Sequence, residues 1–441
     1  MTSGQKRDRP NMFLRQGTIL IGIRLCGVGI TFLVTILLTR GLGAEGYGAY
    51  AFLFAIVTLA AVPSQLGLPT LVVRETTRAI ETKALGQMRA LWRWAHGFIA
   101  ASSFAVIILF VLWLRMSGDN GGTIGIEAYI ALLLIPLMAL SELRAAILRG
   151  LGHDLLSQMP EHLIRPALFA LGLLVMLLIS RWPLSVEAAF AVQTGAVGLA
   201  TLFGVLMLRR VAPRALPTKI DRADKRRWRH GALFMGPVSG LVLINNSVDI
   251  IMLGLWKSNT DVGNYRLAAT VGALITLGLQ VISTYAMPHL SRLFVQGETD
   301  KLALVVRQAT QLSFGFSLLA LIGLLVLGEP ALVMVFGQEF SAAFPILLVL
   351  AVGHIANAFF GPTTGILMMT GHERLTAFLT GFGVLANVGL NVLLIPTWGP
   401  TGAAIATVAS ILVMKTMAFV SVWRLHRMLS WPIPSFNRAA N

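Results

Sequence analysis

Long apolar stretches separated by short polar segments fill almost the whole chain. Each holds about 20 residues, the length that an α-helix needs to cross a hydrocarbon layer of about 30 Å. The pattern lacks the alternation of a barrel strand, and lipid offers no partner for free backbone groups, so the stretches are predicted to be helices. The predicted fold class is therefore an all-α integral membrane protein with about 12 transmembrane helices, near residues 17–39, 47–68, 94–114, 127–148, 163–180, 187–208, 231–255, 265–287, 309–328, 344–369, 376–396 and 402–424.

A short motif occurs twice along the chain. Segment 147–154 reads Ile-Leu, three residues, then Gly-His-Asp; 219 residues later, segment 366–373 reads Ile-Leu, three residues, then Gly-His-Glu. A looser echo relates segment 48–50 to segment 263–265, each with Gly and then Tyr two residues on. Internal duplication in a membrane chain is typical of transporters, whose substrate path runs between two similar halves.

The duplication divides the predicted helices into two six-helix lobes. Six is an even number, so both lobes enter the bilayer in the same direction, which predicts a parallel repeat with a pseudo-two-fold axis along the membrane normal. The predicted organisation is a cytoplasmic N-terminal segment 1–16, an N-lobe 17–208 with helices 1–6, a basic cytoplasmic linker 209–230 that we interpret as solvated, a C-lobe 231–424 with helices 7–12, and a cytoplasmic tail 425–441.

Charge supports the membrane assignment and orients the chain. Apolar residues make up 56% and charged residues 12% of the sequence, against about 25% charged residues in ordinary soluble domains. Most basic residues fall on one side of the predicted spans, which predicts cytoplasmic N- and C-termini in a multi-pass protein. The net charge of +16 then indicates attraction to anionic membrane lipids rather than to nucleic acid. The opposite side holds Arg40, Arg115, Arg181, Lys257 and Arg266.

Sequence signatures of catalysis are missing. The chain has no Gly-Lys pair for a phosphate-binding loop and no His-Glu-x-x-His site, and its eight histidines lack ligand spacing. The single cysteine, Cys26, permits no intramolecular disulfide. We expect no enzyme activity, no cofactor and no metal site.

Charged residues within the predicted spans are the candidate functional residues, because each costs roughly 2.5 to 3.5 kcal/mol at mid-helix and usually faces a cavity or a partner. Lys415 lies about halfway along the twelfth span, and we interpret it as a cavity cation. Arg24 lies nearer the cytoplasmic third of the first span, where a cavity role and snorkelling to the headgroups stay open.

Asp249 is the clearest intramembrane carboxylate. It lies toward the outer end of the seventh span, with Asn245 one helical turn away on the same face. It is either a helix-packing carboxylate or a group that pairs with a cavity cation or carries a coupling proton. His354 in the tenth span and the pair Asn387 and Asn391 in the eleventh are weaker cavity candidates, since such residues commonly form interhelical hydrogen bonds.

Several short motifs in a fixed order resemble the bacterial polysaccharide (O-antigen and exopolysaccharide) flippases of the multidrug/oligosaccharidyl-lipid/polysaccharide exporter superfamily. In the first half they are segments 39–50 (TRGLGAEGYGAY), 67–69 (GLP) and 73–75 (VRE). In the second half they are 248–254 (VDIIMLG), 261–265 (DVGNY), 287–288 (MP), 335–337 (VFG), 371–372 (GH) and 395–407 (IPTWGPTGAAIAT).

The resemblance implies a flippase that moves a polyprenyl-pyrophosphate-linked oligosaccharide from the cytoplasmic to the outer leaflet of the bacterial inner membrane by alternating access. It also implies a cavity with cationic side chains between two lobes, a role that suits Arg24 and Lys415. The implied partners are the lipid-linked oligosaccharide, membrane lipids, and the polysaccharide polymerase and glycosyltransferases of the same pathway. Related transporters often act as single chains, so a monomer is expected.

Two other function classes stay open. A cation-coupled multidrug efflux transporter of the same superfamily typically depends on intramembrane carboxylates, whereas this chain has two intramembrane cations, Arg24 and Lys415, against one clear carboxylate, Asp249. A membrane polysaccharide polymerase usually carries a large external loop with basic catalytic residues. The predicted outer loops here are short, which favours transport over catalysis.

Overall fold

The structure is a computed structural model that describes residues 9–116, 125–179, 184–213 and 222–426. Every described element is a helix, and none of these residues forms a strand. Residues 1–8 of the predicted N-terminal segment, 214–221 of the predicted linker and 427–441 of the predicted tail lie outside the described residues. The predicted all-α class is confirmed.

Sixteen α-helices follow one another along the described chain. A π-helical turn at Pro160–Ile164 separates α7 from α8, and a 3-10 turn at Gln338–Phe340 precedes α14. The helices are α1 Arg9–Ala60, α2 Val62–Gln65, α3 Leu68–Glu81, α4 Leu85–Met116, α5 Ile126–Leu132, α6 Leu134–Gly150, α7 Asp154–Met159, α8 Arg165–Ile179, α9 Val186–Val211, α10 Arg222–Trp256, α11 Asn259–Ile275, α12 Leu277–Val295, α13 Thr299–Phe336, α14 Ala343–Phe360, α15 Thr363–Met369 and α16 Glu373–His426.

Length and apolar composition identify the helices that can cross a membrane. Among the described residues eight pass this criterion, or nine if α11 and the start of α12, bent by 45° at their junction, count as one span. Two of the eight each correspond to two predicted spans: Ile19–Gln65, which includes most of α1 and all of α2, covers most of 17–39 and 47–68, and α16 covers 376–396 and 402–424. Predicted span 231–255 lies within α10. Leu178, Val326 and Leu393 are among many large apolar side chains that stay exposed, as lipid-facing positions do.

Breaks in the long helices separate consecutive spans. Gly43 in α1 has φ 69° and ψ −176°, and Gly399 in α16 has φ 56° and ψ −134°, so neither residue is helical. The predicted fourth span is also broken, because α5 ends at Leu132 and α6 follows with Pro136. A proline ring clashes with the carbonyl four residues earlier, here that of Leu132.

The chain divides into two compact units, Met1–Ser247 (unit 1) and Val248–Asn441 (unit 2). The division falls within α10, beyond the predicted linker 209–230. Residues 222–230, the described second part of that linker, form the first turns of α10, where Arg226, Arg227 and Arg229 are exposed. Trp228 is buried there in the hydrophobic core of unit 1, where its ring lies 5.5 Å from that of Trp94.

The repeated sequence motif adopts the same turn in both units. In unit 1 the amide of His153 donates to the carbonyl of Leu148 at 2.9 Å, and in unit 2 the amide of His372 donates to that of Leu367 at 2.9 Å. The glycines before these histidines, Gly152 and Gly371, have φ of 79° and 83°, a left-handed conformation that glycine adopts without steric cost. The turn leads into α7 in one unit and into α16 in the other.

Candidate functional site

A buried carboxylate, Asp249, is the centre of a polar cluster in unit 2. Tyr265 donates to its Oδ2 at 2.6 Å, Thr407 donates to the same oxygen at 2.7 Å, and Asn391 donates to Oδ1 at 2.6 Å. Only 7% of the Asp249 surface is exposed. Three donors therefore replace the water that this carboxylate loses on burial.

Two structural features bring these side chains together. Ser258 and Asp261 form a capping box that begins α11, which carries Tyr265. The break at Gly399 divides α16, with Asn391 before it and Thr407 after it. Residues 158 positions apart in sequence, Asp249 and Thr407, can therefore share one hydrogen bond.

The asparagine pair extends the cluster along α16. Asn387 and Asn391 lie one turn apart, and Asn391 donates to Asn387 Oδ1 at 3.1 Å. Asn387 in turn approaches Thr407 Oγ1 at 3.5 Å. The Oδ1 atom of Asn391 is buried and has no hydrogen-bond partner among the described residues. An acceptor without a partner beside a carboxylate is suited to a proton donor or a small cation.

The ligand types indicate which cation the cluster could hold. Carboxylate, amide and hydroxyl oxygens suit hard cations rather than transition metals. Among the described residues no group of three or more His, Cys, Asp and Glu side chains could hold a metal ion. The cluster thus fits a proton or an oxygen-coordinated cation better than zinc, copper or iron.

The other predicted residues of unit 2 are not hydrogen-bonded to this cluster in the part of the chain that the structure describes. His354 is partly buried in α14 and packs against Gly272 of α11. A Cβ built on Gly272 would lie 3.2 Å from His354 Nε2. Lys415 is buried in α16 with 7% of its surface exposed. No ion pair joins Lys415 to a carboxylate among the described residues.

Asn245 and Arg24 are both exposed. Asn245 precedes Asp249 by one turn of α10, yet it makes no hydrogen bond to Asp249. Arg24, in unit 1, donates from Nε to Gln158 Oε1 at 3.1 Å. The predicted cavity roles of Arg24 and Lys415 stay predictions.

Unit 1 contains a second charged cluster, around the π-helical turn. Arg144 is 1% exposed and donates to Glu161 at 2.7 Å. Glu161 also accepts a hydrogen bond from Ser141 and one from Arg165 at 3.3 Å. Arg144 is one of the largest fully buried side chains of the described residues. A buried guanidinium of this kind needs the carboxylate that the π-helical turn presents.

The family described as "Polysaccharide biosynthesis protein" matches residues 13–294. The chain belongs to this polysaccharide biosynthesis family. That match confirms the flippase-family resemblance drawn from the motifs.

Similar proteins extend the comparison beyond the matched residues. "Probable low-salt glycan biosynthesis flippase Agl15" of Haloferax volcanii is 23% identical over 419 residues, covering 92% of this chain and 84% of that protein. Among solved structures, an inward-facing multidrug resistance MATE family transporter has a TM-score of 0.73 at 16% identity, covering 92% of this chain and 98% of that one. "Lipid II flippase MurJ, inward closed conformation" has a TM-score of 0.71 at 14% identity, covering 93% and 87%.

The structures establish the fold of this polysaccharide biosynthesis family member, and its own residues define the candidate site. Sequence reasoning missed Tyr265 and Thr407 as members of the Asp249 cluster. The sequence contains a signal for Tyr265, because the repeat relates it to Tyr50. In the structure of unit 1, Tyr50 donates a hydrogen bond of 2.8 Å to Gln193 Oε1. The shared tyrosine therefore holds a carboxylate in unit 2 and a neutral amide in unit 1.

Proposed function

We propose that the chain is a flippase that moves a polyprenyl-pyrophosphate-linked oligosaccharide from the cytoplasmic to the outer leaflet by alternating access, for cell-surface polysaccharide biosynthesis. Membership of the polysaccharide biosynthesis family supports the pathway. The observation that carries the transport step is the buried Asp249 cluster, whose carboxylate and unpartnered acceptor on Asn391 lie in a chain of bilayer-spanning helices. Buried charge of this kind in a membrane usually serves transport.

In this proposal the Asp249 cluster is the coupling site. A proton or a monovalent cation bound at Asp249 would neutralise the carboxylate and accept electron density from Asn391 Oδ1. Loss of that ion would leave the carboxylate with its three hydrogen-bond donors alone. The two states differ by one buried charge, so ion binding changes the relative stability of conformations that solvate the cluster differently.

Lys415 and Arg24 are proposed as cations that meet the substrate. A pyrophosphate–sugar headgroup cannot cross hydrocarbon unaided, and a basic side chain in surroundings of low dielectric constant stabilises its negative charge. Lys415 is buried and has no carboxylate partner among the described residues. A buried ammonium group that has lost its water and has no anionic partner can bind an anionic group of a ligand.

The proposal also covers location and partners. Helices long enough to span a bilayer support a multi-pass membrane protein, and the distribution of basic residues supports a cytoplasmic membrane with both termini inside. We propose that the chain works as a single copy. The glycosyltransferases that build the lipid-linked oligosaccharide and the polymerase that extends it would act before and after this step.

The test is reconstitution of the purified full-length chain into liposomes that contain a fluorescent polyprenyl-pyrophosphate disaccharide. A membrane-impermeant reductant bleaches only the fluorophores in the outer leaflet, so flipping raises the bleached fraction above that of protein-free liposomes. We expect this rise, and no rise with a fluorescent phospholipid. A bleached fraction equal to that of protein-free liposomes, together with ion-driven movement of an organic dye such as ethidium, would replace the proposal with drug efflux.

A further inference from the structure

Unit 1 contains a cavity of about 800 Å³ to which the proposed function assigns no role. Three arginines line it, Arg74 from α3, Arg149 from α6 and Arg165 from α8, together with Glu142 and Glu161. The volume lies within the range of about 300 to 1,000 Å³ typical of small-molecule sites. All three arginines belong to segments that the charge distribution predicts to be cytoplasmic.

Each lining arginine is paired with one carboxylate. Arg149 Nη2 lies 2.7 Å from Glu142 Oε1, Arg165 Nη1 lies 3.3 Å from Glu161 Oε2, and Arg74 Nη2 lies 3.0 Å from Glu75 Oε1. A guanidinium has five N–H donors. Within the described chain these pairs use one donor of Arg149, one of Arg165 and two of Arg74. Donors therefore remain for a ligand in the cavity.

Two of these carboxylates each form an ion pair with a second arginine. Glu161 also binds Arg144 at 2.7 Å, and Glu75 also binds Arg227 at 2.9 Å. Arg165 and Arg74 can thus turn to a ligand without leaving a buried carboxylate uncompensated, which would otherwise be strongly unfavourable.

The third pair is the exception, and solvent compensates for it. Glu142 and Arg149 form no second ion pair in the described part of the chain, but 39% and 36% of their side-chain surfaces are exposed. Water therefore solvates Glu142 when Arg149 leaves it. All three arginines are free to exchange partners at low cost.

A threonine on the cavity wall supports a polar ligand. The hydroxyl of Thr58 is buried and has no hydrogen-bond partner in the described residues. Other threonines of the same helix, Thr35 and Thr39, donate to the carbonyl four residues earlier. A buried hydroxyl without a partner in a cavity wall is available to a ligand that carries hydrogen-bonding groups.

We propose that this cavity binds the diphosphate group of the substrate on the cytoplasmic side, with Arg74, Arg149 and Arg165 exchanging their carboxylate partners for phosphate oxygens. Planar guanidinium groups bind phosphate oxygens in pairs, which favours phosphate over a single-point anion. A cation is a poor fit, because arginines already compensate both lining carboxylates: Arg149 pairs with Glu142, and Arg144 and Arg165 pair with Glu161. The identity of the carrier rests on the proposed function.

The test measures binding to the full-length chain in nanodiscs of phosphatidylcholine. The probes are polyprenyl diphosphate without sugar, phosphatidylglycerol at the same mole fraction, and inorganic diphosphate. We expect Arg149→Gln together with Arg165→Gln to weaken polyprenyl diphosphate binding by about tenfold or more, since a lost charge-assisted contact changes affinity on that scale. Arg93→Gln, an exposed arginine of α4 outside the cavity, should leave the affinity unchanged.

A second variant tests the proposal without removing a cation. Glu142→Gln frees Arg149 from its carboxylate, so the affinity for polyprenyl diphosphate should rise about threefold or more. Unchanged affinity in both variants, or equal binding of phosphatidylglycerol, would overturn the cavity assignment while leaving the flippase proposal intact. If the unmodified chain fails to flip the fluorescent substrate yet binds polyprenyl diphosphate through these arginines, the flippase proposal fails and the cavity assignment stands.

Discussion

Arg227, near the start of α10, donates a hydrogen bond of 2.9 Å to Glu75 on α3. Glu75 also accepts two bonds from its neighbour Arg74, at 3.0 and 3.2 Å. The adjacent Trp228 is buried in the same core of unit 1. Glu75 thus links the first turns of α10 to α3, a helix that also lines the cavity with Arg74, Arg149 and Arg165. Because Arg74 and Arg227 bind the same carboxylate, a change of partner at Arg74 alters the contact that holds α10.

Replacing Glu75 should loosen the start of α10. Glu75→Gln removes the charge that Arg74 and Arg227 share, and we expect faster amide hydrogen exchange over residues 222–232. The loss of stability should be about 1 kcal/mol or less, because both arginines are largely exposed and screened by solvent. Glu81→Gln is the matched control, an exposed carboxylate on the same helix. Equal exchange in the two variants would show that Trp228 alone holds the segment.

Asp249→Asn should separate transport from its driving ion. The amide keeps the size of the carboxylate and can still accept from Tyr265 and Thr407, so the fold should persist while the charge is lost. We expect flipping in liposomes to become independent of imposed proton and sodium gradients. Asp300→Asn, an exposed carboxylate at the start of α13, should retain the dependence of the unmodified chain. Retained coupling in Asp249→Asn would remove this residue from the mechanism.

The two repeat-related tyrosines offer a paired comparison. Tyr265 donates to a carboxylate at 2.6 Å, whereas Tyr50 donates to the neutral amide of Gln193 at 2.8 Å. Hydrogen bonds to charged groups contribute about 1.5 to 3 kcal/mol, against about 0.5 to 1.5 kcal/mol for neutral pairs. Tyr265→Phe should therefore lower the thermal unfolding midpoint in detergent more than Tyr50→Phe does. The reverse order would argue against a charged Asp249.

Features set by local sequence were predictable. The apolar stretches have the length of a bilayer, so the all-α class followed directly. Asn387 and Asn391 lie four residues apart, and they do meet on one face of α16. The Gly-His turns at 152–153 and 371–372 repeat in structure as they do in sequence. In each case the interaction spans only a few residues.

Contacts between distant residues were not predictable. Thr407 reaches Asp249 through the break at Gly399, and the burial of Arg144 depends on the π-helical turn that presents Glu161. Helical spacing also placed Asn245 on the same face as Asp249, but it did not predict that Asn245 is exposed. With 3.6 residues per turn, a position four residues away is rotated by about 40°, which is enough to leave Asn245 exposed where Asp249 is buried.

Lys415→Met should abolish glycan export without unfolding the protein. Methionine keeps an unbranched side chain in the buried position and removes an ammonium group that has no anionic partner in the described chain, so stability should hold or rise. Arg24→Ala should also reduce export. Arg424→Ala, an exposed residue near the end of the same helix α16, is the control. Export of the lipid-linked glycan in cells at matched expression is the measurement, and normal export by Lys415→Met and Arg24→Ala would contradict both assignments.

A close helix contact supports the π-helical turn that carries Glu161. A Cβ on Gly27 of α1 would lie 2.2 Å from the backbone carbonyl oxygen of His162, whereas a Cβ on Gly29 would meet nothing within 4 Å. Backbone cannot give way as a flexible side chain does, so Gly27→Ala must move α1 or the turn.

The matched pair of glycine variants measures how much this contact matters. Gly27→Ala should cost about 1 to 3 kcal/mol, as overpacking typically does, and should lower the thermal unfolding midpoint in detergent. Gly29→Ala should be neutral or slightly stabilising, because alanine favours a helix by about 1 kcal/mol over glycine. Since the turn also positions Glu161 against Arg165, Gly27→Ala should alter polyprenyl diphosphate binding and Gly29→Ala should not. Equal melting of the two variants would mean that α1 does not press on the turn.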